Sequence, residues 1–366
     1  MTQEKYNDGY YHLGKDLEDY PNAWCHVVWS RRGPGKTYSA LRYYYERNKP
    51  IIYIKRTIED VNLICSGKPS ADGIDPSPYV PLNRDFGWNI KPVIIDKGIG
   101  AFYNFSIDED NPEPVGAPVA YVFALSGIKK IKGIELSICD AIIFDEFIPQ
   151  VGEIVRHGTI EGDQLLSLVM TAQRDRPKRG LAPTKLILFA NAEEISTPIT
   201  NTLEIVDDMA DMNAYGRAHM YLEDREIHLH YITLDEIPLT EAEKHGIFKG
   251  MLGTAWHQKT FEGSFASNDF TNVMKLSLKG CKPLIHIHYK QKDMYIYINP
   301  QTGLYYMCNS KNKCIFDYDL NRENEQKSFW VEHCIDLRSA CIDDKFKFEK
   351  YSMYDLIINY KKFFKV

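Results

Sequence analysis

Residues 30–37 read SRRGPGKT, between an apolar run, AWCHVVWS at 23–30, and a segment, TYSALRYYYERN at 37–48, in which Ala40, Leu41, Tyr44 and Tyr45 recur at helical spacing. Strand, glycine-rich turn and helix, in that order, are the local structure that a phosphate-binding loop needs. The pattern G-x-x-x-x-G-K-[ST] is met by Gly35, Lys36 and Thr37, with Ser30 where the first glycine usually stands. Gly33 and Gly35 allow the dihedrals that turn backbone N–H groups onto phosphate oxygens, and the helix that follows offers its positive end. Lys36 is placed to reach the β- and γ-phosphates, and Thr37 to ligate Mg²⁺ through its hydroxyl. Arg31, Arg32 and Pro34 complete the loop; either the arginines point to solvent or one of them lies over the γ-phosphate.

The next apolar segment, PIIYIKRT at 50–57, follows through a crossover, which makes a βαβ unit and a parallel sheet. A stretch rich in Gly, Pro and Asp from about 66 to 87 reads as loop. Further strands are predicted near 90–96, 101–106, 118–126, 139–147 and 184–194, and a helix over 162–177 carries Leu165, Leu166, Val169 and Met170 on one face. CDAIIFDEF at 139–147 matters most, because its apolar run ends in Asp145 and Glu146, at the strand end where parallel sheets bind ligands. An Asp there can hold magnesium, and the neighbouring Glu can polarise an attacking water. The two motifs together point to NTP hydrolysis with Mg²⁺.

Other residues fall on the same edge. Asn191 ends the LILFAN strand, either as a sensor of the γ-phosphate or as an ordinary helix cap. Arg56 ends the second strand. Arg174 and Arg176, in AQRDRPKRG, close the helix between the Asp145 and Asn191 strands, where an arginine can reach a neighbouring subunit's nucleotide. Lys129, Lys130 and Lys132, in SGIKKIKGIE, offer cations to a phosphate backbone or form a solvated loop.

After about residue 235 the pattern changes. Thr240 and Glu243 form a capping-box pair that predicts a helix, and from 273 two alternating runs, KPLIHIHYK and MYIYINPQTGLYYMCN, predict a hairpin. The organisation expected is an α/β domain over 1–237, a helical linker over 238–272 and a small α+β domain over 273–366. The strands LIHIHY and MYIYIN lack the inward carboxylates of a two-metal nuclease. His286 and His288 read as packing or surface residues.

The 366 residues carry 44% hydrophobic and 26% charged side chains and a net charge of −6, which excludes a uniformly basic DNA-coating protein and leaves local cationic patches. No apolar run of about 18 residues occurs and the opening residues have no signal-type core, which predicts a cytosolic protein without membrane contact. The 8 cysteines are scattered without C-x-x-C pairs and read as reduced thiols. Cys308 and Cys314 with His286 and His288 are poorly spaced for a metal.

SRRGPGKT, IKGIELSICDAIIFDEFIPQ, TAQRDRPKRGLAPTKLILFANAEE and PLIHIHYKQKDMYIYINPQTGLYYM together resemble the DNA-packaging (encapsidation) ATPases of small tailed bacteriophages, whose motors include a packaging RNA, and more distantly the large terminases. The resemblance implies a P-loop domain of the ASCE (RecA/FtsK-like) type, a helical linker and an RNase H-like domain that has lost its nuclease activity. It further implies a homomeric ring of five subunits, docked on the portal vertex of a procapsid in the host cytoplasm and driving double-stranded DNA inward. By the same resemblance Lys36 and Thr37 bind phosphate and magnesium, Asp145 coordinates, Glu146 activates water and Arg174 acts in trans, with Arg176 as the second choice. A helicase or other DNA-remodelling ATPase, and a nucleotide-dependent switch, are the competing readings.

Overall fold

A computed structural model describes residues 8–67, 75–106, 112–131, 134–150, 160–265 and 268–366. Leu203–Ala210 and Asn268–Val366 belong to one compact unit; the rest of the described chain forms the other.

The larger unit is built on nine strands: β1 (Cys25–Ser30), β2 (Ile51–Lys55), β3 (Ile90–Asp96), β4 (Ile99–Phe105), β5 (Pro114–Ala124), β6 (Ala141–Asp145), β7 (Lys185–Asn191), β8 (His219–Leu222) and β9 (Ile227–Ile232). Their order is β3-β4-β5-β2-β6-β7-β1-β9-β8. Every pair from β5 across to β9 is parallel, and the antiparallel strands β3, β4 and β8 close the two ends. Strands covered on both faces must be apolar throughout, and β1 is buried along its whole length while β2 and β6 expose only their last residue. Helix α1 (Leu13–Asp19) precedes β1 and helix α2 (Lys36–Tyr45) follows it. The helical stripe read from the sequence faces inward: Ala40, Leu41 and Tyr44 of α2 join Val28, Tyr53, Ile143 and Phe189 in one core. Burying a side chain such as Leu41 contributes about 1.5–3 kcal/mol.

A helix, Val80–Phe86, lies in the stretch read as loop, and two further features depart from the expected pattern. Residues 219–232 form a hairpin whose second strand, β9, lies directly against β1, in register from Cys25 with Ile227 to Ser30 with Ile232. The sequence IHLHYI conceals it, because its two histidines read as polar although all six residues are buried. The second departure is at 238–265. The capping-box bonds form as expected, from the Thr240 amide to Glu243 Oε2 (2.8 Å) and from the Glu243 amide to Thr240 Oγ1 (3.3 Å). A turn follows instead of the expected helix. Gly246 takes a φ of 63° that ends any helical continuation, and only the short helices Ile247–Gly250 and Ala255–His257 and a single wide turn at Gln258–Glu262 follow.

The smaller unit carries β10 (Lys282–Tyr289), β11 (Lys292–Ile298), β12 (Tyr305–Cys308), β13 (Phe316–Asp319) and β14 (Phe346–Phe348), in the order β13-β10-β11-β12-β14. The predicted alternation yields two successive antiparallel hairpins, and the two outer strands add in parallel. Gly303, at φ 71°, closes the second hairpin with its amide on the Asn299 carbonyl (2.8 Å). Helices Glu323–Phe329, Ile335–Ile342 and Tyr351–Ile358 complete an α+β unit. No helix of the described residues is long and apolar enough to cross a membrane.

Candidate nucleotide site

Three neighbouring strands, β6, β7 and β1, end on one edge, and their last residues meet there. Ser30 pairs with Asn191 across β1 and β7, and Asp145 of β6 pairs with Phe189. After β1 the chain turns through Gly33 (φ 97°) and Gly35 (φ 87°), conformations open to glycine, and enters α2 at Lys36. The expected strand, loop and helix are therefore all present.

Lys36 is buried, and its Nζ donates to Ser30 Oγ (2.5 Å), to the Arg31 carbonyl (3.3 Å) and, at long range, to Asn191 Oδ1 (3.5 Å). Burial pushes its pKa down to about 8; the Asp145 and Glu146 carboxylates pull it upward, and Arg31 and Arg32 push it further down. Thr37 Oγ1 donates to Asp145 Oδ2 at 2.8 Å, and Tyr53 of β2 donates to the same oxygen at 3.1 Å. A hydroxyl and a carboxylate in contact beside an ammonium form the hard oxygen pair that Mg²⁺ takes alongside nucleotide phosphates. Thr37 and Asp145 thus fit the ion that the motif implies.

Glu146 stands just beyond β6 in a left-handed conformation (φ 57°), half-exposed, with Lys55 Nζ 3.7 Å from Oε2. Its backbone is held from behind. Arg56 donates to the carbonyls of Phe147 (2.7 Å) and Glu146 (3.4 Å) and pairs with Glu161, whose carboxylate is also buried. Arg56 therefore positions the turn that carries Glu146. The apolar pattern of the following helix gave no sign that Glu161 would face inward.

The loop arginines divide. Arg32 is exposed, whereas Arg31 is buried and donates to Glu243 Oε1 at 3.0 Å and to the Arg32 carbonyl at 3.1 Å. The Arg32 amide reaches the Thr260 carbonyl (3.3 Å), and a Cβ on Gly263 would overlap the Arg31 amide nitrogen and the Ser30 carbonyl carbon. Tyr231 OH, on β9, donates to the Glu262 carbonyl (2.9 Å). The 240–263 segment is thus packed onto the loop that follows β1, a contact that nothing local in the sequence announces.

Arg174 is exposed at the end of its helix. Arg176 corrects the expectation that it could serve as a second trans arginine. It is 1% exposed and donates to the carbonyls of Ala182 (2.6 Å), Ser137 (2.7 Å) and Cys139 (2.8 Å) and to Asp140 Oδ1 (2.8 Å). Its guanidinium clamps the β6 approach to the β7 approach within one subunit. Lys132 lies outside the described residues, as do the side chains of Lys129 and Lys130. In the smaller unit Asp293 Oδ1 contacts His286 Nε2 (3.1 Å) and His288 Nδ1 (2.8 Å), and Asp317 Oδ1 contacts His286 Nδ1 (2.9 Å). A cavity of about 700 Å³ opens beside Gly35, lined by Tyr10, Tyr38, Arg42 and Arg84 among others.

No protein-family model matches the sequence, and no curated protein does. Solved structures do resemble the fold. A chain of the bacteriophage Phi-29 viral genome packaging motor assembly is similar over 96% of this chain and 99% of its own, at 16% identity and a TM-score of 0.60. A chain of the Phi-28 gp11 DNA packaging motor is similar over 98% of this chain and 99% of its own, at 16% identity and a TM-score of 0.59. At these identities the likeness is one of fold, and it extends over both units.

Proposed function

We propose that the chain is an ATP-hydrolysing motor that drives double-stranded DNA into a viral procapsid. The observation that carries the reading is the meeting of Lys36, Thr37, Asp145 and Asn191 at three adjacent strand ends, with the Thr37 hydroxyl 2.8 Å from the Asp145 carboxylate. The full-length fold likeness to chains of two phage DNA-packaging motors supports the DNA-translocating part of it.

In this reading the loop amides and Lys36 hold the phosphates, and the nucleoside extends toward the cavity beside Gly35. Thr37 and Asp145 hold Mg²⁺, which supplies charge neutralisation on the phosphate oxygens. Glu146, on its fixed left-handed turn, takes a proton from the attacking water, and Asn191 contacts the γ-phosphate beside Lys36. Exposed Arg174 reaches the neighbouring subunit's nucleotide in a homomeric ring of five. That ring docks on the portal vertex with its packaging RNA in the host cytoplasm, and the 129–132 lysines grip the DNA backbone. The smaller unit is a nuclease-like domain without nuclease activity, a reading supported by the lack of carboxylates in the strand segments LIHIHY and MYIYIN.

A DNase-protection assay with purified procapsids, ATP and DNA tests this. The wild type is expected to protect DNA and Glu146→Gln to protect none. Protection that survives the substitution overturns the hydrolysis-driven reading.

A further inference from the structure

Strand β2 is buried along all but its last residue, and Tyr53 at its centre is 1% exposed. The residues in register with it are apolar on both sides, Val122 on β5 and Ile143 on β6. A phenol in such a place needs a partner for its hydroxyl. It finds Asp145, two residues beyond Ile143 on β6, and donates to Oδ2 at 3.1 Å. Thr37 Oγ1 donates to that same oxygen at 2.8 Å, while among the described residues no hydrogen bond reaches Oδ1. The carboxylate is held at one oxygen and open at the other.

We propose that Tyr53 is a positioning residue for the metal ion, an inference that rests on the reading of Thr37 and Asp145 as magnesium ligands. By holding Oδ2 it presents Asp145 to the ion through Oδ1 alone, and so favours Mg²⁺ over Ca²⁺. Mg²⁺ is small and strict in its octahedral geometry, whereas Ca²⁺ gathers about 6–8 oxygens and takes carboxylates through one oxygen or both. A carboxylate with one oxygen already engaged by two hydroxyls suits the smaller, stricter ion.

The contact fixes the acid as well as occupying it. If Asp145 turned away, two hydroxyls would lose their acceptor, and that of Tyr53 would be left unsatisfied in the interior, where such a loss is costly. A neutral donor also orients the carboxylate without cancelling the negative charge that a dication needs. The same strand treats the adjacent acid differently. Lys55, two residues on and on the same face of β2, stands with Nζ 3.7 Å from Glu146 Oε2. One strand therefore meets the two neighbouring acids with two kinds of side chain, a hydroxyl for the one assigned to the metal and a cation for the one assigned to the water. In the sequence IIYIK the tyrosine reads only as one more large residue of a buried strand.

The test compares the full chain with Tyr53→Phe, which keeps the ring and removes the hydroxyl. Calorimetry measures the affinity for a non-hydrolysable ATP analogue in chelator, with Mg²⁺ and with Ca²⁺. Expected are an unchanged affinity in chelator and a tightening by Mg²⁺ about tenfold smaller than in the wild type, the low end for loss of a partner behind a metal ligand. The tightening by Ca²⁺ should shrink less. In steady-state hydrolysis the Mg²⁺ concentration for half-maximal rate should rise by a similar factor. Tyr79→Phe, which alters another buried tyrosine of the same core, should move none of these values. Affinity weakened equally with and without metal, a full Mg²⁺ effect retained in Tyr53→Phe, or equal losses for the two ions overturns the assignment of Tyr53. A wild type that binds the analogue no more tightly with Mg²⁺ than in chelator overturns instead the reading of Thr37 and Asp145, and the inference with it.

Discussion

The nucleotide corner and the 240–265 segment folded onto it are in direct contact, yet they are encoded in opposite ways. The corner is specified locally. An apolar strand, two glycines, a lysine and a threonine dictate strand, loop and helix whatever lies elsewhere, and a second apolar strand delivers Asp145 and Glu146 to the same edge. The 240–265 segment has no such autonomy. Its conformation is set by Arg31, 212 positions away from Glu243, and by the close approach of Gly263 to the backbone of Ser30 and Arg31. The local structure of the corner can thus be read from short motifs, whereas the parts that surround and restrain it are fixed by long-range contacts.

The sharpest way to break this contrast is Glu146→Gln, which changes the corner and leaves the packing alone. Steady-state ATP turnover should fall about 10²–10⁴-fold, the range of a lost general base. ATP binding, measured by calorimetry, should persist, because Lys36 and Thr37 are untouched. Near-wild-type turnover would remove Glu146 from the chemistry.

Next in size is the pair of arginines two residues apart. Arg176→Ala strips four acceptors of a buried cation and should destabilise the larger unit by about 3–5 kcal/mol, visible as a lower denaturation midpoint. Arg174→Ala should leave stability within about 0.5 kcal/mol, as exposed substitutions do. Its effect belongs to turnover: mixed into wild-type subunits, it should depress ATPase activity more than in proportion to its share if it acts in trans. Strictly proportional loss removes that role. Asp175, in the left-handed region at φ 62°, separates the two and sends one side chain inward and the other out. A basic cluster in a sequence does not show which member that turn will bury.

Gly263→Ala probes the other side of the comparison. The position has φ 68° and no room for a Cβ against the Ser30–Arg31 backbone, so the substitution should cost about 1–3 kcal/mol. Because the strain falls on the phosphate loop, nucleotide affinity should drop together with stability. A loss of stability with unchanged affinity would mean that the segment packs on the loop without influencing it.

How far the sequence foretold this architecture follows from the same distinction. β1, β2, β6 and β7 were legible because strands buried on both faces are apolar throughout, and their order then places Asn191 between the loop and Asp145. β9 escaped because His228 and His230 interrupt its apolar run; in the interior His228 is met by His26 and His219, and His230 by Asp16 and Glu236. The capping box at Thr240 and Glu243 makes the hydrogen bonds expected of it, and a turn follows where a helix is expected. Gly246 ends that possibility, and Glu243 Oε1 is occupied by Arg31. Glu161 behind Arg56 was invisible for a similar reason: a buried acid pairs with a partner that the sequence places 105 positions earlier.

The smallest effect should come from Glu243→Gln. Glu243 is partly exposed, so its ion pair with Arg31 is worth about 0.2–1 kcal/mol at low salt. The sign of its effect on nucleotide binding is the informative quantity. If Arg31 must leave Glu243 to meet the γ-phosphate, the substitution releases it beforehand, and ATP should bind up to about fivefold more tightly, the equivalent of that pairing energy. The gain should shrink as salt screens the pair. If Glu243 instead holds Arg31 in the position the phosphate needs, affinity falls. Competition titrations with a fluorescent ATP analogue at low and high ionic strength distinguish the two. The expected result is the tighter binding, because Arg31 already lies in the loop beside Lys36 and the 240–263 segment is the only described partner of its guanidinium outside that loop.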